Sequence, residues 1–334
     1  MNKTAKFSSL ALLAFTTSVL VFNSCKKDKD DEPAPVTATA GGGSTPACSP
    51  DTVFTSTGTA PKLIFKFVFD STQARLDNLG NPSAVPPGHA AQSPKFNWMS
   101  QHYIELAGDF DSLGQGEVLY MGTQTTAGGA SAIDYCASTQ TRQNVVFFSE
   151  PLSAITPGSY KWLRVSLAYQ NYDITYKSPS VPGGYGTGTI ASFIGFRTYV
   201  NGYQINGTSY TPSSGAGGPG NHNQGYWGFQ TNVSGTNYFI DGQSAGTTVP
   251  NPLFATSPIP AGSCVVTGQF VNNLMANSPL MITGLETSDI VITVSLSTNK
   301  SFEWIDSTPD GWYEPTAGEA VVDMGIRGLI PIRN

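Results

Sequence analysis

Apolar and polar residues alternate along several segments of this chain, and this alternation constrains the fold more than any other feature. Within residues 162–174 the large apolar side chains occupy every second position: Leu163, Val165, Leu167 and Tyr169. The positions between them carry Arg164, Ser166, Ala168 and Gln170. A period of two predicts a β-strand with one buried and one solvated face, because successive side chains of a strand point in opposite directions. Residues 290–297 repeat the pattern.

The stretches between these segments are rich in residues that interrupt regular structure. The chain contains 36 glycines and 23 prolines, which favour turns and break helices. This composition predicts two long loops over residues 178–188 and 212–222, and no stretch of a dozen residues carries a helical period. The sequence therefore predicts an all-β fold: an antiparallel, jelly-roll-like β-sandwich with long Gly/Pro/Ser-rich loops, in a single large domain over residues 48–334.

Residues 1–24 have the composition of a secretory signal peptide. Two lysines precede an uncharged, largely apolar stretch, and Ser24 comes directly before Cys25. Such a segment is removed from the mature protein and does not contribute to the fold. Residues 26–47 combine a run of Lys, Asp and Glu with a Pro/Ala/Gly/Thr-rich stretch that cannot bury a core. We therefore predict a flexible tether over residues 25–47.

This arrangement resembles bacterial lipoprotein signals, and the charged run after Cys25 resembles the lipoproteins of the Bacteroidota. The resemblance implies that Cys25 becomes the first residue of the mature chain and carries acyl chains such as palmitate. Several acyl chains on one cysteine anchor a protein durably without a spanning helix. The resemblance further implies an outer-membrane lipoprotein whose partner is the membrane through its lipid anchor. It favours exposure at the cell surface over a domain that faces the periplasm, and the sequence does not decide between the two orientations.

The domain is poor in charged residues. Residues 48–334 contain 12 basic and 19 acidic residues, which give a formal net charge of −7. Proteins that bind nucleic acids need a basic surface to neutralise phosphates. The composition therefore excludes nucleic acid as a partner, and Ser, Thr, Asn, Gln and Gly must supply most of the polar surface.

The domain contains three cysteines, Cys48, Cys136 and Cys264. Exported proteins enter an oxidising compartment, where three cysteines allow at most one intrachain disulfide. We predict one structural disulfide and one buried cysteine, and the sequence does not choose the pair. The three histidines of the chain have no metal-binding spacing. Among them, we expect His222, in a glycine-rich loop, to be the most exposed.

Acidic side chains accumulate near the C-terminus, with no Lys or Arg between Lys300 and Arg327. Asp306, Asp310 and Glu314 offer oxygen ligands of the kind that Ca²⁺ prefers, although their spacing is not that of an EF-hand loop. A plain solvated loop is the interpretation that we favour, because runs of carboxylates on loops are usually exposed to water. The sequence thus allows a calcium site here and does not require one.

Four carboxylates close to predicted strands are the residues from which a glycoside hydrolase could draw its acid–base pair. They are Glu105, Glu150, Asp173 and Glu303. No two of them stand out as a pair, and no Gly-x-Ser-x-Gly nucleophile motif occurs. A glycoside hydrolase-like enzyme is therefore an alternative function, and no catalytic residue is assigned.

Aromatic residues near loops are the candidate ligand-binding side chains. They are Tyr226, Trp227, Phe229, Trp312 and Tyr313. Exposed rings can stack on sugar faces or contact an apolar partner, whereas buried rings fill a hydrophobic core. Our main functional prediction is a non-catalytic binding or structural protein at the outer membrane, with a glycan or protein ligand.

Four Asp-Ser/Thr-apolar triplets are similar to the O-glycosylation sequon of exported Bacteroidota proteins. Their hydroxyl residues are Thr52, Ser71, Ser112 and Ser307. The resemblance implies O-glycosylation at these positions and agrees with export of the chain.

The order of residues 63–69, 102–106 and 157–165 is similar to that in MbnP-like exported proteins, a family of β-sandwich copper-binding partners from methanobactin gene clusters. The resemblance implies the sandwich fold and a copper site built from histidine and a modified tryptophan. The ligands of that family do not map by sequence onto His89, His102 or His222. A copper-binding protein is the second alternative function.

Overall fold

A computed structural model describes Cys48, residues 58–109, residues 114–244, Pro260 and residues 262–334. The predictions for residues 1–47, which include the signal, Cys25 and the tether, lie outside these described residues.

The described residues form strands joined by turns and loops. The N-terminal strands are β1 (Lys62–Asp70), β2 (His89–Gln92), β3 (Lys95–Ala107), β4 (Glu117–Met121), β5 (Gln124–Thr125), β6 (Ala132–Asp134), β7 (Gln140–Thr141), β8 (Val146–Pro151), β9 (Gly158–Tyr160), β10 (Trp162–Lys177), β11 (Tyr185–Phe193) and β12 (Arg197–Val200). The C-terminal strands are β13 (Tyr203–Ile205), β14 (Thr208–Tyr210), β15 (Gly220–Asn223), β16 (Tyr226–Val233), β17 (Thr236–Gln243), β18 (Cys264–Gln269), β19 (Val271–Asn272), β20 (Leu280–Ile282), β21 (Ile290–Ser297), β22 (Phe302–Ile305), β23 (Val321–Asp323) and β24 (Leu329–Arg333). Short 3-10 helices occupy Leu152–Ala154, Ser214–Ala216 and Pro315–Ala317.

The first large sheet joins strands from both ends of the chain. Its five strands have the order β19-β24-β21-β1-β8. The central strands β1 and β21 run parallel and pair Leu63 with Ile290 and Phe69 with Leu296. Strand β8 is antiparallel to β1, and β24 is antiparallel to β21. The C-terminal strands thus complete a sheet that the first strand of the domain begins.

The second large sheet has eight strands and is built around β10. Its path is β17-β16-β11-β10-β3-β4, with β18 pairing β10 and β7 pairing β3. Strand β10 is 16 residues long. It pairs with β3 on one side and, on the other, with β18 along its first half and β11 along its second half.

The two sheets enclose the main hydrophobic core. Leu163, Val165 and Leu167 of β10 are fully buried there, together with Phe65 of β1 and Ile292 of β21. These are positions that the alternating pattern assigns to a buried face.

The predicted all-β sandwich is confirmed. Sheets dominate the described residues and pack on one another, and most strand pairs are antiparallel. The pairs β1–β21, β6–β12 and β19–β24 are parallel, which makes two of the sheets mixed. Within the part of the chain that the structure describes, no helix has the length and apolarity needed to span a membrane.

The prediction of a solvated second face on β10 is wrong. Arg164 is only 6% exposed, and Ser166 and Gln170 are fully buried. The register against β3 shifts on both sides of Leu167, and Tyr169 consequently joins a second cluster rather than the main core. The alternation failed here because a bulge reverses the faces and because both faces of this sheet are covered.

The second cluster packs on the face of the eight-stranded sheet that is turned away from the main core, which we call the second face. Tyr135, Tyr169, Phe193, Tyr203 and Tyr226 are its large buried rings. The hairpin β13–β14 and the small sheet β15-β12-β6-β5 supply part of this cover. The domain therefore buries aromatic residues on both sides of the eight-stranded sheet.

A disulfide joins Cys48 to Cys136, and Cys264 is buried and is not part of this disulfide. The prediction of one disulfide and one buried cysteine is confirmed. Cys48 also packs against the second cluster, so the bond fixes the start of the domain beside the second face.

Candidate functional site

The aromatic residues that were predicted as ligand contacts separate into buried and exposed rings. Tyr226 is fully buried in the second cluster, and its hydroxyl donates a hydrogen bond to Asp241 Oδ2 at 2.9 Å. The prediction of Tyr226 as a surface contact is therefore wrong. Trp227 and Phe229 are partly buried against the main core, and Trp227 Nε1 donates to Ser244 Oγ at 2.8 Å.

Trp312 is the predicted aromatic that reaches solvent. Its side chain is 41% exposed and lies against Tyr185, which is 48% exposed. The ring centroids are 4.7 Å apart and the ring planes meet at 58°. We call this pair the aromatic corner. Tyr313 points inward and packs on Phe302 and Trp304, with centroid distances of 5.1 and 5.7 Å.

The loop that carries Trp312 connects β22 to β23, and Glu319 organises it from inside. Glu319 is 3% exposed. Its carboxylate accepts hydrogen bonds from the backbone N–H groups of Ser307 at 3.1 Å and Glu314 at 2.7 Å. A buried carboxylate is stable only where donors surround it, so Glu319 fixes the path of the loop at both of its ends.

Two aspartates fix the turn next to the exposed ring. Asp306 Oδ2 accepts from the Gly311 N–H at 3.1 Å, and Asp310 Oδ1 accepts from the Trp312 N–H at 2.9 Å. Gly311 has a φ of +77°, a conformation that favours glycine. The backbone under Trp312 is thus fixed by the residues around it.

Lys177, at the end of β10, ties this loop to the eight-stranded sheet. Its ammonium group contacts Asp310 and lies 2.9 Å from Glu314 Oε1, and its backbone N–H donates to the Tyr313 carbonyl at 2.8 Å. Hydrogen bonds that Lys177 donates to Asp310 and Glu314 raise the pKa of Lys177. The hydrogen bond from Lys177 lowers the pKa of Asp310, and hydrogen bonds from Thr308 and then Lys177 lower that of Glu314.

These contacts bear on the calcium site that the sequence allows at Asp306, Asp310 and Glu314. The ammonium group of Lys177 lies between two of the three carboxylates and satisfies them. Among the described residues, no group of three or more His, Cys, Asp or Glu side chains is arranged to hold a metal ion. The acidic run is neutralised by a residue that is distant in sequence.

The histidines are not arranged as a copper site. His222 was expected to be exposed, but it is 4% exposed and stacks on Tyr226 with a centroid distance of 3.9 Å. Burial lowers its pKa, and its Nε2–H donates to the Gly218 carbonyl at 2.9 Å. His102 is fully buried in β3, whereas His89 Nδ1 donates to Glu303 Oε1 at 2.6 Å. Within the described part of the chain, no histidine belongs to a group of three or more His, Cys, Asp or Glu side chains that could hold a metal ion.

The carboxylates considered for catalysis are engaged in separate structural contacts. Glu105 is fully buried and accepts from the N–H groups of Gly114 and Gly116 at 2.9 and 2.8 Å. Its burial raises its pKa.

Glu303 is also buried, and it lies 2.8 Å from Arg75 Nη2. Burial acts to raise the pKa of Glu303, but hydrogen bonds from His89 and Arg75 outweigh it and the pKa is lowered. Asp173 accepts from Asn97 and Thr189, and Glu150 lies in β8 opposite Leu63. Each of these carboxylates thus has its own local environment.

Two of the four predicted O-glycosylation positions can be described. Ser71 and Ser307 are both exposed. Ser71 follows the end of β1, where Asp70 Oδ1 accepts from the Thr72 N–H at 2.7 Å. Thr52 and Ser112 lie outside the described residues.

The sequence does not single out Tyr185, because one tyrosine next to a Gly/Pro-rich stretch forms no pattern. Its partner Trp312 follows more than a hundred residues later in the chain. Only the pairing of β10 with β11, which aligns Tyr185 with Lys177, brings it to the loop that Lys177 holds. The chain significantly matches no protein-family model, no curated protein and no solved structure.

Proposed function

We propose that this protein is a lipid-anchored, non-catalytic glycan-binding protein of the outer membrane, exposed at the cell surface, and that the aromatic corner contacts the glycan. The observation that carries the proposal is the rigid presentation of two exposed rings. Tyr185 and Trp312 are 48% and 41% exposed, and the loop under Trp312 is fixed by Glu319, Asp306 and Asp310. A preorganised site loses less entropy on binding than a flexible one.

The surroundings of the rings favour a sugar over an apolar or anionic partner. A pyranose has an apolar C–H face that stacks on aromatic rings and a rim of hydroxyls that needs polar contacts. Lys177, Asp310 and Glu314 supply such a polar rim next to Trp312. The net charge of −7 over residues 48–334 opposes anionic surfaces.

The angle between the rings limits the kind of glycan. Two planes that meet at 58° form a corner and cannot both lie flat on one planar surface. We therefore expect the corner to contact a single, soluble glycan chain rather than the flat face of a crystalline polysaccharide.

Glycan binding is tested with the full chain, purified in detergent, on an array of neutral and acidic glycans, followed by calorimetry with the best ligand. Trp312→Ala and Tyr185→Ala should each weaken binding by about tenfold, because each removes one stacking ring. Tyr238→Ala is the matched control, since Tyr238 is 37% exposed on β17 and is not part of the corner. Equal affinity in the wild type and Trp312→Ala, or equal losses in Tyr238→Ala, would contradict the proposal.

The anchor is tested separately. Replacement of Cys25 by Ser should abolish metabolic labelling with palmitate and move the chain from the membrane fraction to the soluble fraction. Proteolysis of intact cells should remove the wild-type domain if it is exposed at the surface. Retention of label in Cys25→Ser would contradict lipidation at this cysteine, while resistance of the folded wild type to proteases on intact cells would contradict surface exposure.

A further inference from the structure

A cleft of about 700 Å³ lies on the second face of the eight-stranded sheet, beside Cys48. Five carboxamides belong to its lining, and these are Asn97, Gln140, Gln143, Gln204 and Asn206. Tyr135 and Tyr169 of the second cluster also line it. Among the described residues that form this lining, none is Asp, Glu or Lys, and the charged residue is Arg142, whose guanidinium lies over the Trp98 ring. The cleft is therefore polar but contains no carboxylate pair of its own.

The orientation of the Asn97 amide is set by a carboxylate behind it. Asn97 Nδ2 lies 3.1 Å from Asp173 Oδ1 and 3.0 Å from Asn171 Oδ1. An ionised carboxylate only accepts hydrogen bonds, so the amide must turn its nitrogen toward Asp173. No described residue donates to Asn97 Oδ1, and this oxygen is left as an acceptor for a ligand.

The same carboxylate sets the orientation of Asn206 through Thr189. The Thr189 hydroxyl donates to Asp173 Oδ1 at 2.7 Å. Its oxygen can then accept from Asn206 Nδ2, which lies 2.8 Å away. Asn206 Oδ1 receives no hydrogen bond from the described residues and is a second acceptor. Asn206 and Gly207 form the turn of the β13–β14 hairpin, with φ angles of 49° and 76°, as in a type I′ turn.

The Gln143 amide has the opposite orientation to those of Asn97 and Asn206, so that it offers a donor rather than an acceptor. The Phe69 backbone N–H donates to Gln143 Oε1 at 2.6 Å. A backbone N–H can only donate, so the amide must turn its oxygen toward Phe69 and its Nε2 away. Beside it, the Arg142 guanidinium stacks on Trp98 at 3.9 Å from the ring centroid. The cleft thus combines two fixed acceptors, one fixed donor and a stacked aromatic group.

We propose that this cleft is a second binding site, separate from the aromatic corner, and that its ligand is an uncharged saccharide. A sugar hydroxyl both donates and accepts, so neighbouring hydroxyls can donate to the oxygens of Asn97 and Asn206 and accept from Gln143. A carboxylate or phosphate cannot donate to the two oxygens, and the fixed amide orientations therefore select against acidic sugars. The hydrogen-bond network behind the cleft preorganises it for this pattern.

The test measures binding of the full chain to the neutral oligosaccharide that ranks first on the glycan array and to a uronic-acid oligosaccharide. The variant Asn206→Gly/Gln143→Ala removes one acceptor and one donor, and glycine tolerates the positive φ at position 206. We expect a loss of about thirtyfold in affinity for the neutral sugar, because the variant removes two hydrogen bonds of about 1 kcal/mol each. The matched control is Asn237→Ala, which removes an exposed carboxamide that bonds Asn232.

The outcomes separate this site from the aromatic corner. Reduced affinity in Asn206→Gly/Gln143→Ala, with wild-type affinity in Asn237→Ala, supports the cleft. If Trp312→Ala weakens binding and the cleft variant does not, the cleft proposal fails while the proposed function stands. The cleft proposal also fails if the uronic-acid oligosaccharide binds at least as tightly as the neutral one, or if the wild type binds no neutral glycan at millimolar concentration.

Discussion

The two faces of the eight-stranded sheet are both covered, but they are built from different chemistry. The face toward the five-stranded sheet buries aliphatic side chains such as Leu163 and Val165 in the main core. The second face buries tyrosines and polar groups, with Ser166 and Arg164 almost inaccessible. An apolar core requires only shape and volume, whereas each polar group on the second face also requires a partner.

This difference explains why both proposed binding sites lie on or beside the second face. The second face holds the Asp173 network and the carboxamide cleft. The aromatic corner lies at the end of the same sheet, where Lys177 of β10 fixes the Trp312 loop. The main core supplies rigidity, and the polar groups beyond it supply directional contacts. Substitutions on the two faces should consequently have different effects.

The largest effect on stability is expected in the main core. Phe67 is fully buried, and its ring meets that of Phe147 edge-on at 5.3 Å. Phe67→Ala should lower the free energy of unfolding by about 4 kcal/mol, because it removes a buried ring and leaves a cavity. Denaturant unfolding followed by circular dichroism measures this loss. A loss of less than about 1 kcal/mol would contradict the close packing that we assign to this core.

A smaller effect should appear on acidification, through His102. Burial lowers the pKa of His102 from 6.5 to about 4. The unfolded chain therefore binds a proton near pH 6.5 and the folded chain does not, so stability falls as the pH drops from about 6.5 toward about 4. The expected loss is about 3 kcal/mol. His102→Gln should remove this part of the pH dependence, and identical pH profiles for both proteins would contradict it.

On the second face, removal of one hydroxyl should lower the free energy of unfolding by less than removal of a ring from the main core. Tyr226→Phe keeps the ring but removes the hydrogen bond to Asp241 Oδ2. We expect the free energy of unfolding to fall by about 1 to 2 kcal/mol, since the acceptor is a carboxylate. Tyr185→Phe is the control, because Tyr185 is exposed. If the two substitutions lower the free energy of unfolding equally, the prediction that the buried hydroxyl stabilises the fold more than the exposed one is wrong.

The smallest effect on stability is expected at the aromatic corner. Trp312→Ala should change the free energy of unfolding by less than about 0.5 kcal/mol, because the side chain is exposed. The same substitution should weaken glycan binding, as described above. A large loss of stability would instead assign Trp312 a structural role and weaken the binding proposal.

The sequence predicted the parts of this fold that depend on local pattern. Alternation located β10 and the burial of Leu163 and Val165, and the odd number of cysteines predicted one disulfide. Contacts between distant residues were not predictable in this way. Lys62 N–H, for instance, donates to Asp289 across 227 positions, and Lys177 neutralises Asp310 across 133 positions.

Contacts between residues that are distant in sequence also explain why predictions about the sites failed. An acidic run without nearby bases looked like a metal site, because its cation, Lys177, comes from another strand. A histidine in a glycine-rich segment looked exposed, but His222 lies in strand β15 and stacks on Tyr226. No short motif marks the cleft, since Asn97, Asp173, Thr189 and Asn206 meet only when β3, β10, β11 and the β13–β14 hairpin assemble.

Glycan binding at the aromatic corner is tested most directly by the indole N–H signals of the chain. The five tryptophans give up to five resolvable signals in a ¹H–¹⁵N spectrum, and Trp312→Phe assigns the relevant one. On titration with the best neutral glycan, we predict that the Trp312 signal shifts, while that of Trp304, which is 1% exposed, does not. A Trp312 signal that does not shift at saturating glycan would contradict glycan binding at the aromatic corner.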